Sequence, residues 1–175
     1  APKNFILTVN AGDIPADHWT QDLEVGGRRI IGEGCHFVDL LRHLAGAPIE
    51  NADAICLGEH PSLSVRDDKA VITIQFQDGS VGVINYLANG HKAVSKERLE
   101  VFVAGRVLQL DNFLRLSIHG WTGAKKSRLW KQDKGQDACA AAFINAVQTG
   151  DAPPIPLDEI IEISRVSIEL GRRLI

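Results

Sequence analysis

Lys69-Ala70-Val71-Ile72-Thr73-Ile74-Gln75-Phe76-Gln77-Asp78-Gly79-Ser80-Val81-Gly82-Val83-Ile84-Asn85-Tyr86-Leu87-Ala88 is the stretch on which the fold class turns. Lys69–Gln77 and Val81–Ala88 read as strands, and Val71 to Phe76 alternates with period two, so one face is buried and the other wetter. Asp78-Gly79 between them is a hairpin signal, which makes the pair antiparallel. The same grammar continues on both sides. Ala52–Glu59 precedes as a strand candidate, and Arg98–Ala104 and Val107–Asn112 follow, with Gly105-Arg106 as a second turn.

Farther out, Phe5–Asn10 reads as a strand, broken by Ala11-Gly12-Asp13-Ile14-Pro15. Residues 16–29 read as a loop, and residues 30–45 as a helix stopped by Gly46 and Pro48. Residues 119–134 carry Trp121, Lys125, Lys126, Arg128, Trp130 and Lys131, a small basic and aromatic patch expected on an exposed hairpin or loop. An alanine-rich helix is expected over Gln136–Thr149, a proline-rich connector over Asp151–Pro156, and an amphipathic helix over Leu157–Arg173. Strand, helix, a run of antiparallel strands, then helices is the order of an α+β domain: an open, mostly antiparallel sheet with helices packed on one face.

The 175 residues, 45% hydrophobic and 23% charged, fit a single soluble domain spanning 1–175. A domain of this length buries roughly two-thirds of its unfolded surface and needs no metal or disulfide staple. The net charge of −3 comes with no basic block, which argues against nucleic acid as a partner. Cys35, Cys56 and Cys139 are odd in number and lie far apart in apolar settings, so reduced, buried thiols and a cytoplasmic location are expected. The chain shows no signal-peptide pattern and no apolar run of membrane-spanning length. It lacks methionine and opens abruptly on Ala1-Pro2-Lys3, as expected of a piece of a longer protein.

Chemistry is concentrated in Gly26-Gly27-Arg28-Arg29-Ile30-Ile31-Gly32-Glu33-Gly34-Cys35-His36-Phe37-Val38-Asp39-Leu40-Leu41. At about 100° per residue, Phe37, Val38, Leu40, Leu41, Leu44 and Ala45 fall on one arc. His36, Asp39 and His43 fall on the opposite one, with Glu33 at its border. Glu33 and His36 are i and i+3, hence neighbours. Three readings remain open at this point. The polar arc is a solvated face with Glu33 favouring the helix dipole. Alternatively, His36, Asp39 and His43 bind one metal ion. The third possibility is acid–base catalysis by His36 with Glu33 orienting it, the flanking glycines allowing a flat ligand to approach.

This segment resembles the C-terminal domain of the glucose–fructose oxidoreductase / inositol dehydrogenase family, whose pattern is W, then G-G-G-x-L-x-D-x-G-x-H-x-x-D-x-x-x-x-L. Trp19, Gly26, Gly27, Gly34, His36, Asp39 and Leu44 carry it here. Asp78-Gly79-Ser80-Val81-Gly82 and Glu100-Val101-Phe102-Val103-Ala104-Gly105 are similar to the family's hairpin and later strand. Phe143, Ala146, Val147 and Gly150 with Pro153-Pro154-Ile155, then Ser167 and Gly171, are similar to its last two helices.

The resemblance implies the substrate-binding half of an oxidoreductase that uses NAD or NADP on a sugar, nucleotide sugar or polyol. It also implies an N-terminal Rossmann domain outside this chain, and a homo-oligomer packed through the open sheet face. It makes His36 the proton-transfer residue. Gly32 stands where the family has aspartate and Arg28 where it has a third glycine, which leaves Glu33 as the possible replacement acid. Arg28 and Arg29 are candidates for an anionic substrate group, and Asn10, His18 and Trp19 for lining the sugar site, against the alternative that Trp19 plugs a structured loop. Gly26 and Gly27 are candidates for contact with the cofactor. No G-x-G-x-x-G follows a strand and no Glu-Lys-Pro occurs, so the chain alone is expected to bind nicotinamide cofactor weakly and to be inactive. A non-catalytic assembly module is the other class of function left open.

Overall fold

The computed structural model describes residues 1–124 and 126–174. The strands are β1 (Asn4–Asn10), β2 (Ile49–Cys56), β3 (Lys69–Phe76), β4 (Val81–Leu87), β5 (Glu97–Val103), β6 (Arg106–Asp111), β7 (Arg115–His119) and β8 (Ser127–Arg128). The α-helices are α1 (Cys35–Ala45), α2 (Gln136–Thr149) and α3 (Leu157–Arg173). One open sheet takes the order β2-β3-β4-β1-β5-β6-β7-β8. Its pairs are antiparallel except β1 with β4, which run parallel from Asn4 beside Val81 to Asn10 beside Leu87. The α+β class and the antiparallel run are as the alternation indicates.

Period-two patterning decides which face is covered. Phe5, Leu7 and Val9 of β1 point inward with Ile72, Ile74, Phe76, Ile84, Tyr86, Leu99 and Val101 of the neighbouring strands. α1 lays Phe37, Val38, Leu41 and Ala45 on this face, and α3 adds Ile163, Val166 and Leu170. Full burial of each large aliphatic side chain stabilises the fold by about 1.5–3 kcal/mol. α1 approaches β4 at Gly82, where a Cβ would stand 2.8 Å from Leu41 Cδ1. Gly46, in the left-handed region at φ 70°, closes α1 by donating its N–H to Arg42 O. Arg42 ties α1 to α3 through Glu162 at 2.9 Å and Glu159 at 3.7 Å.

Several expectations need correcting. β7 and β8 extend the sheet beyond the strands read from the sequence, because β7 pairs Leu110 with Leu116 and Leu108 with Ile118 across a turn at Asn112 and Phe113, both at positive φ. β8 is a two-residue edge strand inside the basic patch; Trp130 there is fully exposed, whereas Trp121 sits under the Arg106 guanidinium at 5.2 Å. Lys125, the remaining member read into that patch, lies outside the described residues. Cys35 and Cys56 are half-buried, and Cys139 is exposed because α2 stands off the core. Trp19 does not plug its loop: it is 61% exposed, and Gln21 is the buried residue of that turn.

Candidate functional site

β1 lies between β4 and β5, so the connection 88–96 that joins those two strands must cross the C-terminal end of β1. Asn10 ends β1 there and binds the crossing segment three times. Its N–H donates to Lys96 O at 2.7 Å, and its Nδ2 donates to His91 O at 2.9 Å and Val94 O at 3.0 Å. The backbone of Gly90 comes so near that a Cβ would lie 1.9 Å from Asn10 Oδ1. Asn10, read from sequence as a sugar-site residue, is thus placed as the brace of the loop above the sheet end.

The helix expected over 30–45 begins with a π-turn at Ile30–Gly34 before α1. Such a turn winds more widely than an α-helix and changes which way its side chains face. The sequence reading sets Glu33 beside His36; the structure turns the Glu33 carboxylate toward the sheet instead. Glu33 Oε2 accepts from Arg29 Nη2 at 2.8 Å and from the Tyr86 hydroxyl, and Oε1 accepts from Lys96 Nζ at 2.7 Å. No hydrogen bond joins it to His36 among the described residues. Burial pushes the Glu33 carboxyl up, but the hydrogen bonds of Lys96, Tyr86 and Arg29 together outweigh it and hold the group down at about 2. Burial, reinforced by the adjacent Glu33 carboxylate, pushes the Tyr86 phenol well above its ordinary range. At neutral pH the pair is therefore a carboxylate and a neutral phenol.

Arg29 is 5% exposed and spends its donors on the protein, on Gly12 O at 2.6 Å, Ala11 O at 3.2 Å and Glu33, with its guanidinium 5.3 Å over the Tyr86 ring. It lies behind the site. Arg28 adopts φ 60°, the left-handed conformation that a glycine takes without strain, and forms an ion pair with the nearly buried Asp67 at 3.0 Å. Behind that pair, Asp68 holds Lys69 at 2.5 Å and accepts from Gln21 Nε2 at 3.1 Å.

Gly26 and Gly27, read as cofactor contacts, have reasons within the fold. A Cβ on Gly26 would stand 2.3 Å from Trp19 O and 2.7 Å from Thr20 Cα, and Gly27 has φ 67°. His18 and Trp19 are exposed; His18 Nδ1 lies 2.8 Å from Thr20 Oγ1, and its ring 5.9 Å from that of Trp19.

His36 occupies the first turn of α1, exposed and without a hydrogen-bond partner among the described residues. Asp39 and His43 follow on the outer side. Among the described residues no three His, Cys, Asp or Glu side chains come together as a metal-binding group, so His36, Asp39 and His43 do not form one. Burial pushes the neighbouring Cys35 thiol up, away from thiolate chemistry. This sheet end therefore carries a fixed carboxylate–phenol–ammonium cluster of Glu33, Tyr86 and Lys96, with the exposed imidazole of His36 three residues after Glu33 in the chain. Tyr86 and Lys96 were not legible as members of that cluster. Tyr86 reads as one more inward residue of β4, and Lys96 as a solvated lysine.

A family profile described as the GFO/IDH/MocA C-terminal domain matches residues 6–124. This chain belongs to the GFO/IDH/MocA family. The sequence finds no match among curated proteins. Solved structures similar to the GFO/IDH/MocA domain include UDP-N-acetylglucosamine 3-dehydrogenase from Acidithiobacillus ferrooxidans, 17% identical with a TM-score of 0.71 over 99% of this chain and 54% of that one. Aldose-aldose oxidoreductase from Caulobacter crescentus is 17% identical, TM-score 0.71, over 97% and 52%. GenD2 from gentamicin A biosynthesis, solved in complex with NAD, is 18% identical, TM-score 0.66, over 98% and 52%. The GFO/IDH/MocA domain thus spans about half the length of these structures, and at such identities the likeness is one of fold. No described helix is long and apolar enough to cross a membrane.

Proposed function

We propose that this chain is the substrate-binding and catalytic half of an NAD(P)-dependent oxidoreductase acting on a hydroxyl of a sugar, nucleotide sugar or polyol, with His36 as the proton-transfer residue. The observation that carries the reading is an exposed His36, without a hydrogen-bond partner among the described residues, in the first turn of α1 directly after the π-turn that Arg29, Tyr86 and Lys96 hold through Glu33. Membership of a family whose structural relatives include a dehydrogenase and an oxidoreductase supports the same class.

The residues present do not form a dinucleotide cradle: Gly26 is taken up by contact with the 19–20 backbone, and Gly27 by a left-handed turn. A second half of the longer protein would hold the nucleotide. When bound, a nicotinamide supplies the hydride acceptor. His36 supplies the complementary half of the step by accepting the hydroxyl proton as the C–H electron pair leaves, so that O–H and C–H break and C=O forms. Glu33 serves as a brace that fixes the π-turn against Tyr86 and Lys96. Its carboxylate, saturated by three donors, is a poor base at neutral pH. Lys96 and Asn10 shape the rim, and the open sheet face carrying Ile6, Val81 and Phe102 is the surface for a second copy.

The test is direct. The longer protein is incubated with NAD or NADP and a panel of UDP-N-acetylglucosamine, aldoses and inositols, and reduced nicotinamide is followed by absorbance. Turnover of one such hydroxyl substrate is expected, and reduction of neither nucleotide by any of them would contradict the reading. The isolated chain is expected to show no turnover.

A further inference from the structure

Arg28 and Arg29 are consecutive but serve different places. Arg29 donates to Gly12 O, Ala11 O and Glu33, behind the sheet-end cluster. Arg28 donates to Asp67 and borders a separate cavity of about 300 Å³, lined chiefly by Gln21, Arg28, Ser64, Arg66 and Asp67. Glu33, His36, Tyr86 and Lys96 take no part in its wall.

That wall is polar and braced from behind. Gln21, 7% exposed, donates its Nε2 to Asp68 Oδ2 at 3.1 Å and to Ile14 O at 3.4 Å. Lys69 Nζ donates to Asp68 Oδ1 and, at 3.0 Å, to Val65 O. These bonds hold Gln21, Val65 and Asp68 in place, so a ligand has little left to order. Two polar atoms of wall residues, Gln21 Oε1 and Arg28 Nε, are buried without a hydrogen-bond partner in the described structure. Arg28 is also held at φ 60°, which a residue other than glycine adopts only under constraint. Backbone strain and unmet polar groups in one wall are features of functional sites.

The charges select the ligand. The wall carries two guanidiniums and one carboxylate, and Asp67 Oδ2 is already met by Arg28 Nη1 at 3.0 Å. Arg66 has one ion-pair partner among the described residues, the 90% exposed Glu59 at 4.0 Å. Its guanidinium, with the remaining donors of Arg28, suits the oxygens of a carboxylate or phosphate. The Asp67 carboxylate, which only accepts, suits a ligand hydroxyl. The volume lies at the lower end for ligand pockets, so the ligand is small.

We propose that this cavity is a second binding site, separate from His36, for a small oxyanion that also carries a hydroxyl, either phosphate or a hydroxycarboxylate. Arg28 and Arg66 hold its charged oxygens, and Asp67 accepts from its hydroxyl. The site stands on the cavity alone and does not depend on the proposed oxidoreductase activity.

Calorimetric titration of the longer protein with inorganic phosphate, glycolate and acetate at constant ionic strength tests it. Phosphate or glycolate is expected to bind, and the tighter of the two names the anion. Acetate, which lacks the hydroxyl, is expected to bind at least ~fivefold more weakly than glycolate. Arg66→Ala, which gives up only the long contact with Glu59, is expected to melt as the parent does and to bind the anion at least ~tenfold more weakly. His36→Asn is expected to bind it unchanged. Absence of binding by all three anions would overturn the proposal, as would equal affinity of the parent and Arg66→Ala. Acetate binding as tightly as glycolate would contradict the role given to Asp67. Loss of binding in His36→Asn would place the anion at the His36 site and contradict a separate one.

Discussion

Glu33 and Lys96 are 63 residues apart in sequence and joined by a 2.7 Å hydrogen bond. The contact pins the loop over the end of β1 to the turn that precedes His36. Its strength depends on Glu33 being ionised. The folded-state value of about 2 lies below the ordinary 4.5, so the contribution is complete above about pH 4.5 and is lost as the pH falls toward about 2. The gap corresponds to ~3 kcal/mol at most, and less after allowing for the exposed quarter of the side chain. Glu33→Gln is therefore expected to lower stability near neutral pH and to lose much less on acidification. Urea midpoints at about pH 6 and about pH 3 check this, because the other depressed carboxylates (Asp53, Asp78 and Glu100) are common to both proteins and cancel.

Lys96→Ala leaves Glu33 with Arg29 and Tyr86, so the fold survives at a cost of about 1 kcal/mol. The loop 88–96 keeps its Asn10 contacts but loses its tie to the π-turn. Faster amide exchange confined to residues 88–96 is the expected signature. Asn10→Ala, which removes both side-chain hydrogen bonds to the loop, is expected to produce the larger increase.

Two glycines make a matched pair. At Gly26 a Cβ would meet the Trp19 carbonyl at 2.3 Å, whereas at Gly12, with φ 75°, it would meet nothing within 4 Å. Gly12→Ala is expected to cost only the left-handed penalty of ~1–2 kcal/mol. Gly26→Ala has to displace backbone and is expected to cost more, roughly 2–4 kcal/mol. Thermal melts of both variants decide the order.

Arg28 is held at φ 60° yet neutralises the nearly buried Asp67. Arg28→Gly removes the backbone strain but strands the Asp67 carboxylate. Loss of the partner outweighs relief of strain, and a net destabilisation of about 1–2 kcal/mol is expected. Adding Asp67→Asn is expected to return most of it, so a double-mutant cycle should show coupling between the two positions.

What the sequence made legible was local. The alternation of Val71–Phe76 and the Asp78-Gly79 turn fixed β3 against β4, and Gly46 and Gly150 marked where two helices stop. What it hid was non-local or off-period. Nothing in Phe5–Asn10 announces that β1 inserts between β4 and β5, yet that insertion sends residues 88–96 across Asn10. A wheel drawn at 100° per residue puts Glu33 on the border of the His36 face, but the π-turn directs it to Tyr86. The Gly26-Gly27 pair is visible as a motif, but its reasons, the close approach of Gly26 to the Trp19 and Thr20 backbone and the left-handed φ of Gly27, depend on a loop without periodicity.

The most direct test of the account is the turnover of His36→Asn in the longer protein, measured with the hydroxyl substrate it uses and with NAD(H) affinity determined in parallel. A general base contributes ~10²–10⁴-fold, so kcat is expected to fall by about that factor at neutral pH while nucleotide affinity stays unchanged. A kcat within about twofold of the parent, with the variant folded and binding NAD(H) normally, would contradict the assignment of His36 as the proton-transfer residue.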